Sequence, residues 1–326
     1  MTHSNRWLLP ALVGTVLVLA VLSVLVGKLT LTWDVWANQD PVTRIIFLEL
    51  RIPRALLGIV IGSALGLAGA AMQAYLRNAL ADPGTLGVSA MAALGAVMSI
   101  FFELAYLHPW VLPGAGVLGG VVGMFALFLL AGMSASVLTL VLAGIILSAL
   151  AVAGISLMLS LSSNPWAAGE IVRWMLGALT DRSLDDVMIA TPLIVLGGAM
   201  IYSCRHGLNA LTLGEIGARS LGIDLDRMQW RLAFGVGLVV GASVAVTGII
   251  GFVGLVVPHL LRPLVGARPG ALLIPSAFGG AALVLAGDIV VRLLPGGSEL
   301  QLGVIMSLVG APFFFLLLYS LRRRLV

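Results

Sequence analysis

Charged residues are scarce in this chain of 326 residues. Lys, Arg, Asp and Glu together make up 10% of it, whereas 60% of the residues are hydrophobic and the mean hydropathy is +1.13. A water-soluble fold needs a more polar surface than this composition can supply. The low charge content therefore excludes the soluble classes and indicates a membrane protein.

The sequence also lacks the usual signs of catalysis. Its four histidines are scattered without metal-site spacing, and it has no phosphate-binding glycine loop with its lysine and no serine in a nucleophile elbow. Ionisable residues are nearly absent from the centres of the apolar runs, which argues against an ion-coupled carrier and an intramembrane enzyme. The single Cys204 permits no internal disulfide and predicts a buried, inert thiol.

Apolar runs long enough to cross a bilayer, about 20 residues each, recur along the chain. They predict an all-α polytopic membrane protein of about ten transmembrane helices, forming a single domain over residues 1–326. The predicted spans are Trp7–Val26, Ile52–Tyr75, Leu86–Phe102, Trp110–Leu130, Val137–Leu161, Val187–Tyr202, Leu232–Ile250, Phe252–Val265, Leu272–Ile289 and Leu302–Leu321.

Two of these spans leave alternatives open. The first could be a secretory signal, but its apolar run exceeds the roughly 7–15 residues of a signal core, which favours a retained helix. The eighth is short and rich in Gly and Pro, which is typical of a broken or tilted helix. Small residues are frequent elsewhere too, as in Gly62–Ala71, and in lipid they predict closely packed helices.

The charge distribution predicts the orientation of the chain. An even number of spans places both termini on one side, where the connecting segments carry eleven arginines and four acidic residues. The opposite segments carry seven basic and ten acidic residues. By the positive-inside rule, both termini are expected in the cytoplasm.

One cytoplasmic segment, residues 211–231, holds six charged residues in the sequence LTLGEIGARSLGIDLDRMQWR. Glu215 and Arg219 are four apart with the acid first, which favours a helical ion pair, and Gly214 and Gly222 bracket them. The pattern predicts a short helix, a glycine turn and a second helical start. It fits either an ordinary solvated loop or a docking platform for a soluble partner.

Two further polar stretches stand near the ends of predicted spans. The stretch RNALADPGTLG, residues 77–87, has Pro-Gly turn chemistry and fits either a plain inner turn or a hinge at an inner gate. On the outer side, Arg51, Arg54 and Arg292 lie at membrane boundaries, with Arg292 four residues after Asp288. Such arginines either bind lipid phosphates and local carboxylates or receive carboxylates from another protein.

Four motifs in order carry a family resemblance. They are RIPRALLGIVIGSALGLAGAAMQAYLRNALADPGTLGVSA, LGEIGARSLGI, GIIGFVGLVVPHLLR and ELQLGVIMSLVGAPFF. With them the chain, from about Trp7 to Arg323, resembles the membrane permease subunit of type II ABC importers for ferric siderophores, haem or cobalamin. The resemblance implies that family's ten-helix permease fold in the bacterial cytoplasmic (inner) membrane.

The resemblance also implies partners and a cargo. A homodimer of this subunit would bind two cytoplasmic ATPase subunits, which hold ATP and magnesium, while this chain binds no cofactor itself. A periplasmic or lipid-anchored substrate-binding protein would deliver a ferric siderophore, haem or corrinoid, of which an iron chelate is the family's broadest class. The chelate would cross by alternating access at the dimer interface. An ion-gradient-driven secondary transporter of a small solute is the alternative.

The resemblance implies four groups of functional residues. The ATPase-coupling residues are Leu211, Gly214, Glu215, Ala218, Arg219, Leu221 and Gly222. The residues docking the binding protein are Arg51, Arg54 and Arg292. The cytoplasmic gate comprises Asn78, Leu80, Ser136, Val137 and Leu138. The candidate translocation mouth comprises Trp166, Arg173, Trp174 and Arg182. The sequence departs from the family pattern in two inner loops: residues 266–270 lack the usual Asp-His-Arg, and residues 133–138 lack the usual basic side chains.

Overall fold

The structure is a computed structural model that describes residues 7–27, 44–132, 137–162, 165–266, 268–294 and 300–325. All regular elements among these residues are helical. The α-helices are α1 (Leu8–Leu25), α2 (Ile52–Tyr75), α3 (Val88–Phe101), α4 (Val111–Ala131), α5 (Val137–Leu161), α6 (Pro165–Met175), α7 (Leu184–Ser203), α8 (Arg205–Ala210), α9 (Gly214–Ser220), α10 (Leu225–Thr247), α11 (Val253–Val265), α12 (Pro269–Leu293) and α13 (Leu302–Leu325).

The predicted spans correspond to apolar helices. Within the described ranges, 7 helices are long and apolar enough to cross a membrane: α1, α2 with the turn before it, α4, α5, α7, α10 and α12. Three shorter apolar helices, Val88–Phe101, Val253–Val265 and Leu302–Leu317, occupy the other predicted spans. The eighth span is a continuous helix of 13 residues, although Pro258 and Pro263 lie inside it.

Helices α2 and α10 form the centre of the bundle, with 72% and 78% of their apolar windows buried. Helix α2 packs chiefly on α12 and also on α11 and α7, while α10 packs on α4, α7 and α3. Small residues make this possible. A Cβ added at Gly66 would overlap the carbonyl of Ser276 in α12, and one at Gly69 would overlap Gly254 in α11. The close packing predicted from the small residues is therefore present.

Two helical features, helix α6 and a π-helical turn before α2, differ from the prediction. The amphipathic helix α6 was not predicted, because Glu170 and Arg173 interrupt its apolar residues. Helix α10 begins at Leu225, which confirms the second helical start predicted after the Gly222 turn, although the apolar span itself begins only at Leu232. The Asp224 carboxylate caps the helix, accepting a hydrogen bond from the Arg227 amide at 3.0 Å. A π-helical turn, Ile46–Arg51, runs directly into α2.

The π-helical turn has a local cause. Pro53 has no N–H with which to reach the carbonyl of Glu49, so the regular ladder is interrupted there. The Ile52 amide bonds instead to the carbonyl of Phe47, five residues back. Arg51 and Arg54 therefore lie inside a continuous helical segment of 30 residues rather than at its start.

Candidate functional site

A surface at one end of the bundle is formed by α9 and the residues around it; we call this the α9 end. Gly214 begins α9 and Gly222 follows it, with φ of +85° and +79°, which glycine adopts without a steric penalty. Leu213, Ile216 and Leu221 are 67%, 85% and 62% exposed. Large apolar side chains grouped on a polar face indicate a surface that another protein can cover.

The seven predicted coupling residues divide by exposure. Those open to solvent are Glu215, Arg219, Leu221 and Gly222, and Gly214 is half-buried. Leu211 and Ala218 are buried, with 4% and 0% exposed. The buried pair fixes the segment on the bundle, and the exposed residues form its outer surface.

The charges on the α9 end pair differently from the sequence-based expectation. Arg219 forms its ion pair with Asp226, at 3.4 Å between Nη2 and Oδ1, rather than with Glu215. This contact crosses the Gly222 turn and ties α9 to the first turn of α10. Both partners are about half exposed, so the pair contributes little to stability and is available to a partner.

The loop after α2 is built from side-chain to backbone hydrogen bonds. Asn78 Oδ1 accepts from the Leu80 amide at 3.0 Å, and Asp82 Oδ2 accepts from the Gly84 amide at 2.8 Å. Asp82 is buried, and burial raises its pKa to about 6 against the lowering effect of the backbone hydrogen bonds from Gly84 and Thr85. It lines a cavity of about 700 Å³ between α3, α5, α11 and α13.

The predicted gate residues are only partly brought together. Asn78 and Leu80 share one half-buried turn, but the cavity beside it is lined by Asp82, Gly84 and Thr85 of the same loop. Leu138 is exposed near the start of α5. Ser136 and the side chain of Val137 lie outside the described residues.

A buried amide joins α2 to α11. Gln73 Nε2 donates to the carbonyls of Gly254 and Leu255 at 3.3 and 3.2 Å, and its Oε1 accepts from Arg262 Nη2 at 2.7 Å. The carbonyl of Gly254 needs this donor, because the residue four positions on is Pro258, which has no N–H. The sequence shows the proline but not which side chain replaces its missing donor.

The opposite end of the bundle, called the Arg51 end, holds the three arginines predicted to dock a binding protein. Arg54 Nε donates to Asp288 Oδ1 at 2.8 Å, and Arg292 binds the other oxygen of the same carboxylate. All three arginines are buried, with at most 9% exposed, and Asp288 is 1% exposed. Because the Asp288 carboxylate binds two guanidinium groups, the attraction between the opposite charges offsets much of the desolvation free energy of burying these three charged groups.

Two of these arginines, Arg51 and Arg292, also cap the C-terminal end of α1. Arg51 Nη1 donates to the carbonyls of Val24 and Leu25 at 3.0 and 2.9 Å, and Arg292 Nη1 donates to that of Val26 at 3.1 Å. The last carbonyls of a helix have no partner within it, and cationic donors satisfy them well. The arginines thus hold α1, α2 and α12 together at this end.

A cavity of about 830 Å³ opens at the Arg51 end and contains three of the four predicted mouth residues, Arg173, Trp174 and Arg182. Trp166 is 83% exposed elsewhere on α6 and does not line this cavity. Tyr106 donates to Glu170 Oε2 at 3.3 Å across one wall, and the Glu170 carboxylate raises the pKa of that phenol.

Two buried donors stand among the residues lining this cavity. Within the described part of the chain, Trp174 Nε1 and Arg182 Nε have no hydrogen-bond acceptor. Desolvation lowers the pKa of Arg182, although Asp186 and Asp181 oppose the shift. Buried donors without partners are costly. Both atoms are shut off from the cavity surface, so an acceptor reaches them only when the surrounding side chains move.

Comparison with known proteins identifies the family that shares this sequence and fold. Residues 15–320 match the FecCD transport family. The chain is 37% identical over 311 residues to the vitamin B12 import system permease protein BtuC of Vibrio cholerae, covering 94% of this chain and 92% of that one. It is 34% identical over 327 residues to the hemin transport system permease protein HmuU of Yersinia pestis, covering 98% and 97%.

A solved structure agrees with the sequence comparisons. It is described as an inward-facing conformation of a metal-chelate type ABC transporter, and it superposes with a TM-score of 0.85 at 32% identity over 96% of this chain and 98% of that one. The helical fold, the apolar spans and these matches lead to one assignment. The chain belongs to the FecCD transport family and is a multi-pass membrane permease with the type II ABC importer fold.

Proposed function

We propose that the chain is the membrane subunit of an ATP-driven importer that carries a metal chelate, a ferric siderophore, haem or a corrinoid, into the cytoplasm. It works as a homodimer with two ATPase subunits, which hold the ATP and magnesium, and a substrate-binding protein outside. The observation that carries the proposal is the exposed apolar surface formed by Ile216 on α9 and by Leu213 and Leu221 at its two ends, together with the exposed Glu215 and Arg219.

The proposed coupling step acts through residues 211–222. The exposed side chains contact the ATPase, and the buried Leu211 and Ala218 transmit its movement because they pack into the bundle. Nucleotide binding to the ATPase favours one of two bundle arrangements and so opens the path to one side at a time. This orientation puts the α9 end and both termini in the cytoplasm.

The proposed path begins at the Arg51 end. Glutamates of the binding protein engage Arg51, Arg54 and Arg292. The delivered chelate then meets the mouth at the cavity lined by Arg173, Trp174 and Arg182, while Trp166 is exposed elsewhere on α6. The exposed Arg173 in this cavity suits a cargo with acceptor oxygens at its rim, as chelates with carboxylate or hydroxamate groups have. At the inner side, Asn78, Leu80, Ser136, Val137 and Leu138 narrow the exit.

The α9 surface can be tested with a pair of variants at its most exposed apolar residue. Ile216→Asp should reduce co-purification of the ATPase subunit roughly thirtyfold, as expected for a central apolar contact worth about 2 kcal/mol, and should abolish ATP-dependent uptake in proteoliposomes. Ile216→Met keeps the apolar contact and should behave as wild type. Because Ile216 is 85% exposed, neither change should alter the thermal stability of the chain alone.

Wild-type assembly and uptake by Ile216→Asp would contradict the coupling role. So would uptake by the purified chain without any ATPase, driven by an ion gradient.

Uptake without an ATPase, driven by an ion gradient, is what the second candidate function predicts. This function is a proton-coupled carrier of a small solute. It is favoured by one observation, the buried carboxylate of Asp82 beside a cavity, with a pKa of about 6. A carrier of this kind would move its solute in liposomes that contain only this chain and a pH gradient, and Asp82→Asn would stop it.

A further inference from the structure

A third cavity, at the α9 end, has a different chemistry from the two described so far. It measures about 300 Å³ and lies between the end of α2, the end of α11 and the start of α12. Arg77, Arg262 and Arg268 line it, together with Gln73 and Thr212, and none of its lining residues is an aspartate or glutamate. Within the described residues, none of the three arginines forms an ion pair.

Arg262 is held in place by a neutral group. Its Nη2 donates to Gln73 Oε1 at 2.7 Å, and the Gln73 amide is fixed in turn by the carbonyls of Gly254 and Leu255. The guanidinium is therefore positioned without being neutralised. A positioned cation retains its full attraction for an anion that enters the cavity.

Arg77 occupies an unusual backbone position. Helix α2 ends in a Schellman motif, in which the Asn78 amide bonds to the carbonyl of Gln73 and the Arg77 amide to that of Ala74. This motif places Arg77 in the left-handed region, with φ of +49°, where glycine is the usual residue. An arginine at such a position indicates that its side chain has a use that outweighs the backbone strain.

The cavity also adjoins the start of a long helix. Pro269 and Leu272 of α12 line it, and the Gly270 amide is already satisfied by Asn209 Oδ1 at 2.8 Å. The N-terminal end of this 25-residue helix adds a partial positive charge to that of the three guanidinium groups. The whole site therefore favours a compact anion of more than one negative oxygen.

Phosphate matches these features. Its oxygens accept paired hydrogen bonds from the planar guanidinium fork, and a cavity of about 300 Å³ admits a phosphate with a short polar substituent. The site lies where α2 and α11 end and α12 begins, which is the level of lipid headgroups for helices that cross a bilayer. Basic pockets between transmembrane helices on the cytoplasmic side bind anionic headgroups by this chemistry.

We propose that the cavity of Arg77, Arg262 and Arg268 binds the phosphate of an anionic lipid headgroup. The lipid joins the ends of α2 and α11 to the start of α12, next to the 211–222 segment. This role is separate from the importer assignment, because it requires neither cargo nor ATPase.

The test measures lipid binding to the full chain purified alone. Native mass spectrometry should show that wild type binds phosphatidylglycerol at least tenfold more tightly than phosphatidylcholine. Arg77→Gly suits the left-handed position and so keeps the helix end intact while removing the charge, and Arg268→Gln removes a second charge. Affinity for phosphatidylglycerol should fall roughly fivefold for each arginine removed.

Two controls accompany these variants. Arg77→Lys keeps the charge and should retain most of the binding. Arg231→Gln removes an exposed arginine at the same end, outside the cavity, and should leave binding unchanged. Equal binding of the two lipids by wild type, or wild-type affinity in Arg77→Gly with Arg268→Gln, would overturn the proposal.

Two further measurements separate lipid from other sources of negative charge. Inorganic phosphate is titrated into the chain in neutral detergent, with chloride matching the ionic strength. Tight phosphate binding without a preference for phosphatidylglycerol would overturn the lipid assignment in favour of a soluble phosphate. Loss of ATPase assembly in Arg77→Gly with unchanged lipid binding would overturn it in favour of a protein contact.

Discussion

At the scale of single residues, Gln73 shows how one buried side chain compensates for a proline. The Gly254 carbonyl has no helical hydrogen-bond donor in α11, because Pro258 has no N–H. The Gln73 amide supplies a donor from α2 and at the same time accepts a hydrogen bond from Arg262. The three hydrogen bonds come from a residue that is 1% exposed. Its removal leaves both a carbonyl and a guanidinium without their partner.

Gln73→Leu is therefore expected to destabilise the chain by about 2 to 4 kcal/mol, because buried polar groups lose their hydrogen bonds. Thermal unfolding in detergent measures the effect. Gln229→Leu is the matched control, since Gln229 is also buried but its Nε2 has no partner among the described groups. Equal losses for the two variants would show that the Gln73 hydrogen bonds contribute nothing.

Asp82 makes stability depend on pH. Its folded-state pKa of about 6 lies above the value of about 3.9 for an unfolded chain. The folded state therefore binds the proton more tightly than the unfolded state does. The stabilisation of the fold by protonated Asp82 is present below pH 4 and is lost as the pH rises through 6. Unfolding temperature should fall between pH 4 and pH 7 in wild type.

Asp82→Asn should remove that part of the pH dependence, because the amide oxygen can still accept from the Gly84 amide without carrying a charge. The comparison is made at matched ionic strength, with the exposed Asp185→Asn as control. Identical pH profiles for wild type and Asp82→Asn would show that the carboxylate ionises freely.

Among the helices, the sequence predicts those that consist of one continuous apolar run. Each predicted span is helical in the structure, because a segment that crosses a bilayer must satisfy its backbone hydrogen bonds within itself. Helix α6 was missed because its polar face breaks the apolar run, and such a helix is visible only through its periodicity. The π-helical turn before α2 was missed because the predicted span begins at Ile52, one residue before Pro53, and proline is equally well tolerated in the first turn of a helix.

Contacts between distant helices were the least predictable part of the sites. The four-residue spacing of Asp288 and Arg292 is visible in the sequence, but the bond from Arg54 to Asp288 joins residues 234 positions apart. The turn at Gly222 likewise brings Asp226 to Arg219, where spacing favoured Glu215. Local periodicity carries no information on such pairs, because they depend on how the helices pack.

At the scale of the whole molecule, the arginines of the Arg51 end would serve two partners. Within the chain they bind Asp288 and the end of α1, and in the proposed assembly they bind carboxylates of the substrate-binding protein. The two uses compete for the same guanidinium groups. Docking would therefore replace the internal carboxylate with a carboxylate of the binding protein. Its affinity would be lower than if the three arginines had no partner inside the chain.

This competition predicts the behaviour of Asp288→Asn. Without the binding protein, the variant should unfold at a lower temperature, because two buried guanidinium groups lose their shared carboxylate, at a cost of about 3 kcal/mol or more. Added binding protein should raise the unfolding temperature more in the variant than in wild type, since its carboxylates replace the missing one and stabilise by mass action. Asp185→Asn, an exposed carboxylate of the same end, should show the wild-type shift. An equal shift in Asp288→Asn and wild type would mean that the arginines act only within the chain, and that the binding protein docks through other residues.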